Sequence, residues 1–203
     1  MFGWLDSLGL KDYEMQLGTS RKMLDIGCAT CGLMAEFINR DWAASGIELS
    51  PEIIAFDRNL GFEVVQGPVE QVQYPDSSLH LITMTHVIEH LLNPKQTLQE
   101  VYRILAPKGK LFIRTPNCES IPRLIAGKEW FSDPDHLSFF GTKTLQKILA
   151  DTGFRIIGIK NYVGIDMETY SEVWNKLGFN DIIRARINQT NLGDVALVYA
   201  EKT

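Results

Sequence analysis

The sequence predicts an α/β fold nucleated by a nucleotide-binding strand–turn–helix–strand unit, and three observations predict it. Met23-Leu24-Asp25-Ile26 is a short, mainly apolar run that enters the small-residue turn Gly27-Cys28-Ala29-Thr30-Cys31-Gly32. Leu33, Met34, Phe37 and Ile38 then recur at helical spacing. A second run, Ala43 to Ile47, closes on Glu48. This is one half of a nucleotide-binding α/β unit.

The remaining elements follow in order. Residues 1–21 read as a short amphipathic helix and linker, with Trp4, Leu5, Leu8 and the stretch Tyr13 to Leu17 placed to pack on the domain or cover a ligand. After Glu48, Ser50 suits an N-cap, Pro51 the first helical position and Glu52 the first turn. Ile53, Phe56 and Leu60 mark the expected buried face, and Gly61 ends this helix. Glu63 to Gln66 is a short third strand, followed by the turns Gly67-Pro68-Val69-Glu70 and Pro75-Asp76-Ser77-Ser78. Leu79 to Met84 is the fourth strand. Asn93-Pro94 repeats the cap-plus-proline start, and Leu98, Val101, Tyr102 and Leu105 form a core-facing stripe. Ala106-Pro107-Lys108-Gly109 stops that helix, and Leu111-Phe112-Ile113 is the fifth strand.

Residues 118–141 form an insertion rich in aromatics, with Trp130, Phe131, Phe139 and Phe140 around Asp133-Pro134-Asp135-His136. A connection of this length reads as a lid or binding loop, and an aromatic floor with few polar groups suits a small organic substrate. Thr142 opens a helix with Leu145, Ile148 and Leu149 inward, and Gly153 closes it. Phe154 to Val163 is a sixth strand. Residues 166–190, carrying Tyr170, Trp174 and Phe179, are placed to cover the pocket or to form a homodimer contact. Asp194 to Ala200 is the last strand, antiparallel beside the sixth. No repeat or linker divides residues 22–203, which read as one domain.

The ligand chemistry is partly legible. Small residues in the 27–32 turn let backbone N–H groups approach a ligand at a helix N-terminus. Glu48 can accept hydrogen bonds from both hydroxyls of a ribose. The spacing Gly27-x-Ala29-x-x-Gly32 loosely fits a dinucleotide fingerprint, but that fingerprint needs a second glycine where Ala29 stands. Asp25 adds an anion, which disfavours a pyrophosphate and favours a sulfonium or ammonium ligand.

Leu24-Asp25-Ile26-Gly27-Cys28 followed by Gly46-Ile47-Glu48-Leu49-Ser50 resembles the class I S-adenosylmethionine-dependent methyltransferases, in particular the small-molecule branch related to ubiquinone and glycan-modifying enzymes. Leu105-Ala106-Pro107-Lys108-Gly109-Lys110-Leu111 is a further similar stretch, and the resemblance covers about residues 22–157. It implies a Rossmann-like three-layer α/β/α sandwich with a mostly parallel seven-stranded sheet and an antiparallel last strand. It implies S-adenosyl-L-methionine as cofactor and S-adenosyl-L-homocysteine as product. Asp25, Gly27, Cys28, Ala29 and Gly32 fall on the methionine and ribose side, and Glu48 on the ribose hydroxyls. Leu49 and Val69 flank the adenine, and Thr85 and His86 stand at the methionine end. Pro68 takes a place where the family often carries an acid, so adenine recognition falls to backbone near Val69 or to Glu70. The family often has a similar His86-x-x-Glu89-His90 stretch lining this region, and an Asp135-His136-Leu137-like stretch facing the substrate. His136 is therefore the leading general-base candidate and His86 the second. The expected reaction is O- or C-methylation of a small acceptor, in preference to N-methylation.

Composition sets limits on rival readings. The net charge of −5 and the absence of a Lys/Arg run argue against nucleic-acid binding. No apolar run approaches a membrane span, and three cysteines without a signal-like N-terminus fit a cytoplasmic protein. Cys28-x-x-Cys31 lacks a second cysteine pair for a four-thiolate zinc site. A redox pair is physically open to it, but packing in a tight loop is preferred, and no metal is expected. His86-x-x-Glu89-His90 matches a zinc-peptidase pattern, but Asn93-Pro94 starts a new helix too soon for it. The other rivals are an NAD-dependent oxidoreductase, opposed by Asp25 and Ala29, and a non-catalytic methyltransferase-like scaffold.

Overall fold

The computed structural model describes residue 10 and residues 21–126, 134–163, 181–190 and 192–203. The expected N-terminal helix and the aromatics Trp130, Phe131, Tyr170, Trp174 and Phe179 lie outside the described residues.

Seven strands form one sheet: β1 (Lys22–Ile26), β2 (Ala43–Glu48), β3 (Val64–Gln66), β4 (Leu79–Thr85), β5 (Leu105–Pro116), β6 (Phe154–Tyr162) and β7 (Val195–Lys202). Their spatial order is β3-β2-β1-β4-β5-β7-β6. The pairs from β3 through β5 are parallel, whereas β7 runs antiparallel to both β5 and β6. This is the expected sandwich, with the reversed strand held between its two neighbours. Glu201 of β7 accepts hydrogen bonds from Lys110 of β5 and Arg155 of β6, which hold its carboxyl below the usual carboxylate range.

Successive strand residues point to opposite faces. Met23, Leu81, Phe112, Leu197 and Tyr199 enter one core with Leu33, Phe37 and Trp42. Leu24, Ile82, Leu111, Ile113 and Val198 enter the other, with Leu98, Val101, Leu145 and Leu149. Both faces are therefore buried, as a mostly parallel sheet requires. The helices that cover them are α1 (Gly32–Ile38), α2 (Pro51–Asn59), α3 (Pro94–Ile104), α4 (Ile121–Ala126), α5 (Thr142–Asp151) and α6 (Asp181–Thr190). Ser50 and Asn93 cap α2 and α3, accepting from the N–H groups of Ile53 and Gln96, and proline occupies the first turn of each.

Three expectations about buried faces and boundaries need correction. On α2 the buried residues are Ile54 and Asp57, while Phe56 and Leu60 are exposed. The helix is rotated so that Asp57 points inward, and Arg58 on the flank reaches the Val64 carbonyl. Ile38, at the end of α1, is also exposed. The turn at Ala106–Gly109 lies inside β5, which begins at Leu105. Leu79 pairs with Leu105 and Leu81 with Lys110, so the turn residues are accommodated as a break in register.

Candidate functional site

β1 is flanked by β2 on one side and β4 on the other, which makes its carboxyl end a topological switch point. Ligands of open α/β sheets bind there. A cavity of about 440 Å³ opens at this place. Of the residues expected in a site, Gly27, Ala29, Glu48, Leu49, Val69, Thr85 and His86 line it.

The turn after β1 has an unusual backbone. Gly27, Ala29 and Cys31 have φ of 70°, 45° and 57°, so two residues with side chains sit in the left-handed region that normally favours glycine. Gly27 is required twice over, because a Cβ there would also lie 2.5 Å from Val87 Cγ2. The Gly27 and Cys28 N–H groups donate to the Ile47 carbonyl at 2.8 and 3.1 Å, which ties the turn to the end of β2. Glu48 stands next to this tie. Its Oε2 accepts from Ala29 N at 3.1 Å, and its Oε1 accepts from Leu49 N at 2.7 Å and Ser50 N at 3.1 Å. A carboxylate offers about four lone pairs, so one position on Oε2 remains for a ligand hydroxyl.

Asp25, Cys28, Gly32 and His136 do not line the cavity. Asp25 is buried in the sheet, where it accepts a 2.6 Å hydrogen bond from Thr83 Oγ1. Burial pushes its carboxyl up to about 7, and the Thr83 bond only partly offsets this. Cys28 is buried too, and its thiol is pushed up to about 12, chiefly by burial.

The segment after β4 supplies the other wall. His86 adopts φ 55°, with its N–H on the Arg114 carbonyl at 2.8 Å. Its Nδ1 donates to Glu89 Oε1 at 3.2 Å, which leaves Nε2 as the nitrogen that can meet a ligand. Glu89 is 1% exposed, and its Oε2 accepts from Thr115 Oγ1 at 2.9 Å. The Glu89 carbonyl accepts from Leu137 N and Ser138 N at 2.9 and 3.0 Å, so the same residue anchors the segment that follows His136. His90 Nδ1 donates to the Asp135 carbonyl at 2.8 Å, and its ring lies 4.8 Å from that of His136. His90 lines the cavity, whereas the His136 ring lies against that of His90, tilted by 60°, and meets Phe139 at 6.0 Å.

Glu70 also lines the cavity and accepts a hydrogen bond from Thr97 Oγ1, so it is neither a solvated surface acid nor free of partners. Thr85 Oγ1 is buried at the lining without a hydrogen-bond partner among the described residues. An orphaned hydroxyl in the lining fits a ligand that brings its own polar group. His90 is not among the site residues that the sequence singled out. The expected signal for its role was the His86-x-x-Glu89-His90 spacing itself, which a 3-10 turn over Ile88–His90 folds toward the cavity.

Comparison with known proteins agrees with this fold. A family profile described as a methyltransferase domain matches residues 7–159. The demethylmenaquinone methyltransferase of Shouchella clausii is 22% identical over 187 residues, covering 76% of this chain and 78% of that protein. The demethylmenaquinone methyltransferase of Listeria welshimeri is 26% identical over 123 residues, covering 56% of this chain. The chain thus spans about half the length of the Listeria relative, 51%. A solved S-adenosylmethionine-dependent methyltransferase from Archaeoglobus fulgidus superposes with a TM-score of 0.71 at 24% identity, covering 98% of this chain and 93% of that one. At this identity the superposition shows the fold. Among the described residues no helix is long and apolar enough to cross a membrane.

Proposed function

The chain belongs to the methyltransferase-domain family, and from that premise we propose that it transfers a methyl group from S-adenosyl-L-methionine to a small-molecule acceptor by O- or C-methylation, releasing S-adenosyl-L-homocysteine. The observation that carries this reading is the placement of Glu48, the 27–32 turn and His86 around one cavity at the switch point. S-adenosylmethionine supplies an electrophilic methyl group when bound.

The chain's own groups bind, orient and take a proton. Glu48 holds a ribose hydroxyl on the position left on Oε2, and a second once its bond to Ala29 N gives way. Leu49 and Val69 offer apolar flanks to an adenine, and Glu70, already fixed by Thr97, offers an acceptor beside them. Thr85 Oγ1 donates to a carboxylate or accepts from an ammonium at the amino-acid end. Cys28, Gly32 and Asp25 act through the shape of the turn rather than by contact with the cavity. The main demand is to hold the acceptor in line with the S–CH3 bond and to exclude water.

A hydroxyl or acidic carbon acceptor must also lose a proton. His86 fits this role, because Glu89 fixes its ring and leaves Nε2 free to accept. His136 supports the same wall through His90. The Glu48→Ala variant tests the cofactor assignment. A carboxylate hydrogen bond is worth about 1.5–3 kcal/mol, so S-adenosylmethionine affinity is expected to fall about 10- to 100-fold. Equilibrium binding of wild type and variant measures it, and unchanged affinity in a folded variant removes Glu48 from the site.

A further inference from the structure

We propose that Cys28, Cys31 and Asp57 form a site for a thiophilic divalent cation of the zinc class, set directly beneath the turn that lines the cavity. The sequence spacing showed two of these ligands. The inward rotation of α2 supplies the third.

Cys28, Cys31 and Asp57 are 5%, 0% and 0% exposed. Their ligand atoms all lie within 4.8 Å of one another. Cys28 Sγ and Cys31 Sγ are 3.8 Å apart. Two thiolates on a tetrahedral zinc, with bonds of about 2.3 Å, stand about 3.8 Å apart. The Cys31 thiol is directed at Cys28 Sγ and faces the Asp57 carboxyl, whose oxygens meet no other hydrogen-bond donor among the described residues. A bare carboxylate in a dry core is costly, and a cation ligated by it removes that cost. A disulfide answers the geometry less well. It requires the sulfurs to close from 3.8 Å to about 2.05 Å, and it leaves Asp57 as bare as before.

A second cluster, Glu89, His90 and His136, also brings ligand atoms together. There the donors are engaged: Glu89 is bound by His86 and Thr115, and His90 Nδ1 by the Asp135 carbonyl. The buried thiol site has the unsatisfied ligand.

Three protein ligands leave the fourth tetrahedral position to a water molecule. The ion joins the turn to α2. It thereby holds Ala29 and Cys31 in left-handed backbone that a side chain disfavours, and it fixes the Ala29 N–H that donates to Glu48. The ion sits behind the turn, away from the cavity, because Cys28 does not line it.

Cobalt(II) titration of the full chain, stripped beforehand with a chelator, tests this. The expected result is one ion per chain with a near-ultraviolet sulfur-to-cobalt charge-transfer band that zinc displaces, together with a higher thermal midpoint in zinc. The Cys28→Ser/Cys31→Ser double variant loses the band. Asp57→Asn weakens cobalt affinity about 10-fold or more, the scale found even for groups that only support a ligand. Circular dichroism confirms that each variant is folded, and the wild-type band stands independently of them. Wild-type protein that shows no charge-transfer band at saturating cobalt overturns the proposal. So does zinc uptake that survives in the double serine variant, which assigns the ion to the histidine cluster.

Discussion

The Asp25→Asn variant is expected to lose a fall in stability that the wild-type protein shows between about pH 4 and about pH 7. The folded protein holds the Asp25 proton up to about 7, because burial penalises the anion, whereas the unfolded chain releases it near the ordinary value of 3.8. Between these values the folded state binds more protons than the unfolded state, so raising the pH favours unfolding. The contribution is fully present below about pH 4, is lost progressively up to about pH 7, and is flat above it. At about 1.4 kcal/mol per pH unit, the loss is about 4 kcal/mol. Asparagine cannot ionise, and its Oδ1 keeps the bond from Thr83. Its amide N–H must still be accommodated, which costs about 1–3 kcal/mol. Urea unfolding at about pH 5 and about pH 8 measures the difference. The variant should be less pH-sensitive than wild type and about 2 kcal/mol more stable at the higher pH. Parallel pH profiles in the two proteins contradict the assignment.

Gly193→Ala is expected to cost about 3 kcal/mol or more. A Cβ at this position would lie 2.1 Å from the Tyr162 carbonyl carbon and 2.4 Å from its Cα. These are main-chain atoms at the end of β6, paired with Val195 of β7, so no side-chain rotation relieves the clash. The neighbouring bonds spread the damage. Gly193 O accepts from Asn117 Nδ2 at 2.8 Å, Asp194 O accepts from Asn117 N at 2.6 Å, and Leu192 O accepts from Ile121 N. Asn117 in turn bridges to Phe140, close to the segment that Glu89 anchors. The variant should unfold at markedly lower urea. A midpoint equal to wild type would show that β6 and β7 separate here without cost.

The fold was legible in the sequence wherever a local rule agreed with the tertiary structure. Ser50-Pro51 and Asn93-Pro94 announced two helices through capping chemistry that the structure repeats bond for bond. The short apolar runs announced strands, whereas the layering and strand order came from resemblance, because periodicity carries no information about neighbours. Helix α2 was misread because Phe56 and Leu60 are apolar, whereas Asp57, which turns inward, is charged. Which face is buried was decided by Asp57 and Ile54 meeting the turn after β1, a contact between distant segments. The same limit applies to the site. Glu48 and His86 could be placed from their positions at strand ends, while Leu49, Val69 and Thr85 came from the resemblance. That Asp25 turns away to Thr83, and that His136 packs against His90 rather than lining the cavity, depends on side-chain direction and on the path of the 134–140 segment.

The central claim is that the switch-point cavity binds a sulfur nucleoside. Calorimetric titration of the purified chain with S-adenosylmethionine and S-adenosylhomocysteine, with NAD(H) as the control, tests it most directly. Saturable micromolar binding of both sulfur nucleosides, weakened in Glu48→Ala and absent for NAD(H), is the predicted result. Folded, nucleoside-free protein that binds neither S-adenosylmethionine nor S-adenosylhomocysteine would contradict it.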